Sequence, residues 1–191
     1  METLSGLKDI GLRGNGDIYL GVVGPVRVGK STFIKRFMEV LVIPHIKNED
    51  DKKRALDELP QSGIGKTIMT MEPKFVPSNA VEILVEENLT VKVRLIDCVG
   101  YIIPNANGDE DGKMRMVKTP WFSETIPFDD AAKIGTQKVI KEHSTLGICV
   151  LSDGTINEFT REDYKNSEEQ VIEELKSIDR PFVIVLNSKT P

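Results

Sequence analysis

The segment Gly24–Ser31 (GPVRVGKS) limits what this chain can fold into more than any other feature of the sequence. It matches the pattern G-x-x-x-x-G-K-[ST] at every fixed position. The apolar run 17–23 precedes it, and apolar residues at helical spacing follow it from Phe33 to Leu41. A strand, a glycine-rich turn and a helix in this order predict a phosphate-binding loop, or P-loop, whose main-chain N–H groups face the phosphates of a nucleotide. The sequence therefore predicts a nucleoside triphosphatase built on an α/β fold.

Residue types within the P-loop predict separate roles. Lys30 is expected to reach the β- and γ-phosphates, and the Ser31 hydroxyl is expected to be a ligand for Mg²⁺. Arg27 either lies near the phosphates and adds positive charge there, or points to solvent, and the sequence leaves both arrangements open. The predicted nucleotide-binding residues of this loop are Gly24, Arg27, Val28, Gly29, Lys30, Ser31 and Thr32.

A second motif, Asp97-Cys98-Val99-Gly100, follows the apolar run 91–96. An apolar strand that ends in D-x-x-G is typical of the second half of a switch-type nucleotide site. There the Asp holds Mg²⁺, usually through water, and the Gly N–H faces the γ-phosphate. We therefore predict that Lys30, Asp97 and Gly100 are catalytic, and that Ser31 and Asp97 hold the metal.

The segment 66–73 (KTIMTMEP) lies between the P-loop helix and this motif. Switch-type P-loop proteins place there a threonine that completes the Mg²⁺ shell when the γ-phosphate is present. Thr70 is the first candidate for this catalytic and metal-binding role and Thr67 is the second, while a purely structural role for both remains open. The sequence Gly65-Lys66-Thr67 is not a second P-loop, because no strand precedes it.

The end of the apolar run 181–186 is where switch GTPases carry Asn-Lys-x-Asp, and here the chain reads Asn187-Ser188-Lys189-Thr190. Asn187 joins the predicted nucleotide-binding set. The missing carboxylate would accept two hydrogen bonds from guanine, and the single hydroxyl of Thr190 cannot replace that paired acceptor. The sequence therefore favours ATP over GTP, with Mg²⁺ as the metal.

The other apolar patterns predict strands that alternate with helices. The predicted strands are 81–86 and 90–97, which form a hairpin, then 146–151 and 181–186; the predicted helices are 49–59, 128–143 and 161–178. This order predicts a mostly parallel, doubly wound sheet with one antiparallel hairpin strand, resembling a switch GTPase. We expect one P-loop domain at 17–191 after a lead segment at 1–16. Because 181–186 is predicted to be a buried strand and no helix follows it, we expect the domain to be truncated on its C-terminal side.

The segment 100–127 has no helical or strand period and contains several Pro, Gly and Asn residues. It is too long for a simple connector, so we predict a functional or mobile loop. Trp121 within it either packs on the domain or forms a contact that responds to nucleotide.

Composition indicates which kinds of partner to expect and where in the cell the protein works. A net charge of −5 gives no reason to expect nucleic acid binding, which needs clustered Lys and Arg. Cys98 and Cys149 each stand in an apolar run and are expected to be buried free thiols. The chain has no signal-peptide core and no stretch of about 20 apolar residues, so we predict a cytoplasmic protein.

The chain resembles the stage IV sporulation protein A family over about 17–191. The residues that carry the resemblance are Gly16–Gly24, Arg27, Gly29–Lys35, Asp57–Ser62, Lys66–Thr70, Glu72–Pro77, Asp97–Tyr101, Thr119–Trp121 and Glu142–Thr145. One departure concerns the switch segment: the family can carry a pair of threonines there, whereas Met71 follows Thr70 in this chain.

The resemblance implies an ATPase, derived from the switch GTPases, that hydrolyses ATP to drive its own polymerisation into the basement layer of the bacterial spore coat. It implies a place in the mother-cell cytoplasm, on the outer surface of the forespore. Other coat proteins and a small amphipathic membrane peptide would be partners, mainly through regions beyond Pro191. The alternative is a nucleotide-binding switch, for ATP or GTP, that turns over slowly and reports its state to a protein. A small-molecule kinase ranks third, because no acceptor-binding lid is recognisable.

Overall fold

The fold is organised around a five-stranded sheet in a computed structural model that describes residues 17–60, 72–86, 89–103 and 116–190. The strands are β1 Asp17–Val23, β2 Lys74–Glu86, β3 Leu89–Asp97, β4 Met116–Val117, β5 Ile126–Pro127, β6 Leu146–Ser152 and β7 Phe182–Asn187. The main sheet has the order β2-β3-β1-β6-β7, and β4 and β5 form a separate two-stranded sheet. Within the main sheet β3, β1, β6 and β7 are parallel, and β2 is antiparallel to β3. The predicted mostly parallel sheet with one antiparallel strand is confirmed.

Among the described residues four α-helices connect these strands, and two of them continue with altered pitch. They are α1 Lys30–Phe37, α2 Glu49–Asp57, α3 Phe128–Lys138 and α4 Arg161–Ser177. Helix α1 continues as a π-helix at Met38–Val42 and a 3₁₀ turn at Ile43–His45, and α3 continues as a π-helix at Val139–His143. Asn48 caps α2 by accepting hydrogen bonds from the N–H groups of Asp50 and Asp51. Thr160 and Asp163 form a capping box that begins α4.

Buried apolar side chains cover both faces of the sheet. On one face α1 and its extension contribute Ile34, Met38 and Val42 to a core that includes Ile18, Leu20 and Val22 of β1. On the other face the π-helix that continues α3 contributes Val139 and Ile140, and α4 contributes Val171 and Leu175, to a core that includes Val23, Cys98 and Cys149. Alternation along the strands sends successive side chains to opposite faces, which is why one strand serves both cores. Cys98 and Cys149 are buried free cysteines, as predicted.

Two predictions about local structure need correction. The strand predicted as buried at 181–186 is an edge strand: it pairs with β6, and Val183, Ile184 and Leu186 are exposed. The described residues cover only one edge and part of the faces of this strand, which is why its apolar side chains are exposed in this part of the chain. Within the predicted loop 100–127, the described residues include the short hairpin of β4 and β5. Trp121 packs against α3, because its ring lies next to Gly135 and its centroid is 5.9 Å from the Lys138 ammonium.

No helix among the described residues is both long enough and apolar enough to cross a lipid bilayer.

Candidate functional site

The P-loop connects β1 to α1, and its two fixed glycines stand where a side chain would collide. Gly24 has φ 141°, and a Cβ there would lie 2.2 Å from the carbonyl O of Val150 on β6. Gly29 has φ 93°, and a Cβ there would lie 2.6 Å from the side-chain amide of Asn187. Both positions combine a positive φ with a close approach, which only glycine tolerates. The motif glycines thus let the loop pass close to β6 at Val150 and to β7 at Asn187.

The N-terminus of α1 differs from those of α2 and α4. Its N-cap, Gly29, offers no side-chain cap, and none of its first-turn residues is acidic. Helices α2 and α4 instead have side-chain caps and acidic residues in the first turn. The first N–H groups of a helix need a partner, and the positive end of the helix dipole favours an anion. The start of α1 is therefore suited to bind phosphate.

Lys30 is the first residue of α1, its side chain reaches back into the loop, and it is only 8% exposed. Its ammonium donates hydrogen bonds to the main-chain carbonyls of Gly24 at 3.1 Å and Pro25 at 2.7 Å. Burial lowers the pKa of Lys30, and the nearby charge of Asp97 acts in the opposite direction. A buried cation is costly unless charged groups compensate it, so this position favours an anionic ligand.

Ser31 and Asp97 meet although they are far apart in the chain. The Ser31 hydroxyl donates to Asp97 Oδ2 at 2.8 Å. Burial raises the pKa of Asp97, while Lys30 and the hydrogen bond from Ser31 lower it. A hydroxyl and a carboxylate are oxygen ligands of the kind that Mg²⁺ prefers, with the remaining positions taken by phosphates and water. Among the described residues there is no cluster of three or more His, Cys, Asp or Glu side chains arranged to hold a metal. These two residues therefore fit a Mg²⁺ ion that is shared with a nucleotide.

The segment after Asp97 is hydrogen-bonded to the P-loop. The Val26 N–H donates to the Tyr101 carbonyl at 2.8 Å, and the Tyr101 N–H donates to the Gly24 carbonyl at 3.3 Å. These bonds bring Gly100 so close that a Cβ there would lie 2.5 Å from the Lys30 ammonium. The structure thus brings Lys30, Ser31, Asp97 and Gly100 together at one end of the sheet.

The Arg27 side chain contacts a neighbouring segment of the chain, at Glu158 and Phe159. The guanidinium forms an ion pair with Glu158 at 2.7 Å and lies 5.4 Å from the centre of the Phe159 ring. Arg27 also has φ 60°, which lies in the left-handed region that residues other than glycine rarely adopt. Its predicted contact with phosphate stays a prediction. Of the other predicted binding residues, Val28 is buried in the loop and Thr32 is exposed on α1.

Asn187 contacts the P-loop main chain from the end of β7. Its side-chain amide donates to the carbonyl O of Val28 at 3.0 Å. The residues after it are held by one bond to a distant segment and one local bond: the Lys189 N–H donates to the Thr155 hydroxyl at 3.0 Å, and the Thr190 N–H donates to the Ser188 hydroxyl at 3.2 Å. Thr190 itself is exposed. Asn187 is therefore joined to the site through the main chain of the loop.

Thr70 and Thr67 lie outside the described residues, so their roles as Mg²⁺ ligands stay predictions. Sequence reasoning missed the segment Asn157–Phe159 and Tyr164, which contact Arg27. A signal for them was available: ligands in open α/β sheets bind beyond the carboxyl ends of the strands, and this segment follows β6.

Among solved structures, the G domain of the T. maritima FeoB iron transporter is similar over 91% of this chain and 73% of that one. The TM-score is 0.37 and the sequence identity is 12%. This likeness is too low to add to the fold, which rests on the strand order and the P-loop described above.

Curated relatives are far more similar. The chain is 58% identical to stage IV sporulation protein A of Bacillus anthracis and of Bacillus subtilis (strain 168), in each case over 100% of this chain and 39% of the relative. It is also 58% identical to stage IV sporulation protein A of Clostridioides difficile (strain 630), over 96% of this chain and 38% of the relative. The chain thus spans about two fifths of the length of these relatives.

The family model described as stage IV sporulation protein A, ATPase domain, matches residues 1–191. This match covers the P-loop, the Asp97 motif and the strands that carry them. Together with the identity to the three relatives, it shows that the chain belongs to the stage IV sporulation protein A family and corresponds to its ATPase domain.

Proposed function

We propose that this domain binds Mg²⁺ with ATP and hydrolyses the terminal phosphate. The observation that carries the proposal is that Lys30, Ser31, Asp97 and Gly100 lie together in one partly buried site, with the Ser31 hydroxyl 2.8 Å from Asp97 Oδ2. Catalysis of phosphoryl transfer consists mainly of positioning and charge stabilisation, so fixed donors and cations at the phosphates are what the reaction needs.

Each of these residues has a defined task in the proposal. The N–H groups at the start of α1 bind phosphate oxygens, and the Lys30 ammonium exchanges its carbonyl partners for the β- and γ-phosphates. Ser31 and Asp97 hold the Mg²⁺, which neutralises the charge that develops on the phosphates. The Gly100 N–H is available to the γ-phosphate because this residue lies beside Lys30.

The choice of ATP over GTP rests on Thr190. A carboxylate at this place would accept both hydrogen bonds of guanine, and an exposed hydroxyl does not provide that paired acceptor. We therefore expect ATP to compete better than GTP for a fluorescent nucleotide bound to the full-length protein. A clear preference for GTP would overturn this assignment while leaving the phosphate site intact.

We further propose that the full-length protein uses hydrolysis to assemble itself into the static basement layer of the spore coat. This step is supported by the resemblance of the motifs to the sporulation family. It would take place in the mother-cell cytoplasm at the forespore surface, with coat proteins and a small amphipathic membrane peptide as partners.

A nucleotide-dependent switch with slow turnover is the second candidate, and one observation favours it. The segment that follows Asp97 is bonded to the P-loop through Tyr101, while its neighbour Val99 is packed in a core with Val117 of β4 and Phe128 of α3. A change at the phosphates could pass through this segment to β4 and α3, where a partner could sense it.

Three variants of the full-length protein separate assembly from switching. If hydrolysis drives assembly, wild type should sediment as polymer with ATP and remain soluble with a non-hydrolysable ATP analogue. Thr70→Ala should bind ATP and ADP, hydrolyse slowly and fail to assemble, whereas Lys30→Ala should already fail at binding. Lys35→Ala, a change on the outer part of α1, serves as the matched control. Polymer formation with the analogue would favour the switch, and normal assembly of Thr70→Ala would exclude this threonine as the sensor.

A further inference from the structure

A segment that follows β6 holds the P-loop main chain from outside. The Asn157 side-chain amide donates a hydrogen bond to the carbonyl O of Arg27 at 2.9 Å, and the Tyr164 hydroxyl lies 3.5 Å from the same oxygen. Asn157 and Tyr164 also contact each other, at 2.9 Å from the amide nitrogen and 3.1 Å from the amide oxygen to the hydroxyl. Tyr164 is fully buried, so its hydroxyl is a fixed support for Asn157.

Arg27 needs such support because of its backbone conformation. A φ of 60° costs free energy in a residue with a Cβ, so surrounding contacts must stabilise it. Its side chain is held by Glu158 and Phe159, and its carbonyl is held by Asn157. The segment Asn157–Phe159 therefore fixes both the side chain and the peptide plane of this residue.

The geometry of the peptide bond links this contact to phosphate binding. In a trans peptide the C=O of one residue and the N–H of the next point in opposite directions within one plane. A hydrogen bond that holds the Arg27 carbonyl outward therefore aims the Val28 N–H inward. The same relation holds for the next plane, because Asn187 holds the Val28 carbonyl and so orients the Gly29 N–H.

We infer that Asn157 is a positioning residue for nucleotide binding, which aims the Val28 N–H at the phosphates through its bond to the Arg27 carbonyl. The inference rests on the proposed function, since it presumes that the P-loop binds a nucleotide. Asn157 touches no phosphate itself. It acts through the loop, and Tyr164 acts through Asn157.

The two ends of the Asn157 amide allow the positioning role to be separated from a structural one. The amide oxygen accepts a hydrogen bond from the Phe159 N–H at 3.0 Å, which stabilises the local turn. The amide nitrogen makes the contact with Arg27. Asn157→Asp keeps the acceptor and the size of the side chain, but it replaces the donor with an oxygen that repels the Arg27 carbonyl.

The test measures the affinities of ATP and ADP and the steady-state hydrolysis of ATP for the full-length protein. N157D should weaken both affinities roughly tenfold, because it removes the hydrogen bond to the Arg27 carbonyl and sets a carboxylate oxygen against it, and it should raise KM with little change in kcat. Both nucleotides should be affected because they share the phosphates that the loop contacts. Tyr164→Phe, which keeps the buried ring and loses the supporting hydroxyl, should give a smaller loss of roughly two- to threefold.

Asn48→Asp is the matched control, because the Asn48 side chain serves as an acceptor at the N-cap of α2 in its bonds with described residues. It makes the same chemical change away from the P-loop and should leave both affinities unchanged. Unchanged affinities in N157D, with or without a lower melting temperature, would overturn the inference and leave a structural role. If N157D does not fold, unchanged affinities in Y164F would overturn it instead. A wild-type protein that binds no nucleotide would refute the proposed function itself.

Discussion

The two halves of the candidate site are built differently. The phosphate half, Gly24–Ser31 with Asp97 and Gly100, is mostly buried and is held together by hydrogen bonds between residues distant in the chain. The base half, Ser188–Thr190, is half-buried to exposed and is held by bonds within itself and to Thr155. The first half is constrained by packing from several sides, and the second is constrained by a few hydrogen bonds on a more exposed segment.

This difference implies that the affinity for the phosphates and the choice of the base depend on different parts of the site. Phosphate recognition depends on main-chain N–H groups and one buried cation, which are the same for every nucleoside triphosphate. Selection of the base depends on side-chain donors and acceptors, which can change without disturbing a core. A change in the phosphate half should therefore affect all nucleotides together, and a change in the base half should affect their ratio.

Loss of the buried cation should give the largest effect and tests the first half of this comparison. Lys30→Ala removes the ammonium that is bonded to the Gly24 and Pro25 carbonyls. Such a charge-assisted contact to phosphate is worth about 1.5–3 kcal/mol, so nucleotide affinity or hydrolysis should fall roughly ten- to a hundredfold. Isothermal calorimetry and phosphate release measure the two quantities.

Lys35→Ala provides the matched control on the same helix. Lys35 is 3.9 Å from Glu39 and its side chain is 37% exposed, and such surface pairs contribute little to stability. Its nucleotide affinity should match wild type. Wild-type turnover in Lys30→Ala would contradict the assignment of the P-loop as the active site, and an equal loss in both variants would point to a general effect of charge.

A methyl group at Gly100 should give the next largest effect, because the phosphate half has no room for it. The added Cβ would lie 2.5 Å from the Lys30 ammonium and 2.8 Å from the Val26 nitrogen. Overpacking of this kind typically costs about 1–3 kcal/mol, and we expect hydrolysis by Gly100→Ala to fall roughly tenfold for ATP and GTP alike.

Gly135→Ala is the corresponding control in a helix. The nearest atom to a Cβ there, on Trp121, is 3.6 Å away, which is an ordinary contact. Alanine is also about 1 kcal/mol more favourable than glycine inside a helix, so this variant should have a higher melting temperature and unchanged hydrolysis. If Gly100→Ala hydrolyses ATP at the wild-type rate, the segment after Asp97 is not confined against the P-loop as described.

The sequence was informative where chemistry and backbone geometry require the same residues. Gly24 and Gly29 are needed both for a tight turn and for close approach to phosphate, so a pattern of a few residues predicted the loop, β1 and α1. The D-x-x-G motif predicted the place of Asp97 and Gly100, because an apolar strand carries them to the same end of the sheet as Lys30. The antiparallel hairpin strand followed from two β-rich runs separated by a short polar turn.

Other features were not visible in a linear pattern. Asn157 contacts Arg27 only because β6 lies beside β1 in the sheet, and nothing local to Asn157 indicates that neighbour. The apolar residues of β7 suggested burial, yet exposure depends on which elements lie next to a strand, as Ile184 and Leu186 show. The left-handed conformation of Arg27 was equally hidden, because arginine gives no signal for a positive φ.

A carboxylate at Thr190 should give a smaller effect, confined to the ratio of nucleotides. Thr190→Asp introduces the paired acceptor for guanine on an exposed turn and should raise the affinity of GTP relative to ATP roughly three- to tenfold. The added negative charge acts on both triphosphates, so the ratio from competition binding is the quantity to compare. Thr190→Ala adds no acceptor and should leave the ratio at the wild-type value. An unchanged ratio in Thr190→Asp would mean that this turn does not contact the base.

The smallest expected effect is a pH dependence of the free energy of unfolding, which depends on how deeply the Cys98 and Cys149 thiols are buried next to the phosphate half. Burial raises the pKa of the Cys98 and Cys149 thiols from 9.0 to about 12. In the unfolded chain these thiols lose their protons near pH 9, whereas in the folded protein they stay protonated. The free energy of unfolding is therefore constant from this source below pH 8 and falls as the pH rises through 9 toward 12. Between pH 8 and 9 the loss should be about 0.3–0.4 kcal/mol for each thiol. Urea unfolding of wild type and Cys149→Ala at several pH values measures it, because the variant should keep only the part of the slope that belongs to Cys98. Equal slopes in the two proteins would show that Cys149 is accessible to solvent, and that this half of the site is more open than its hydrogen bonds indicate.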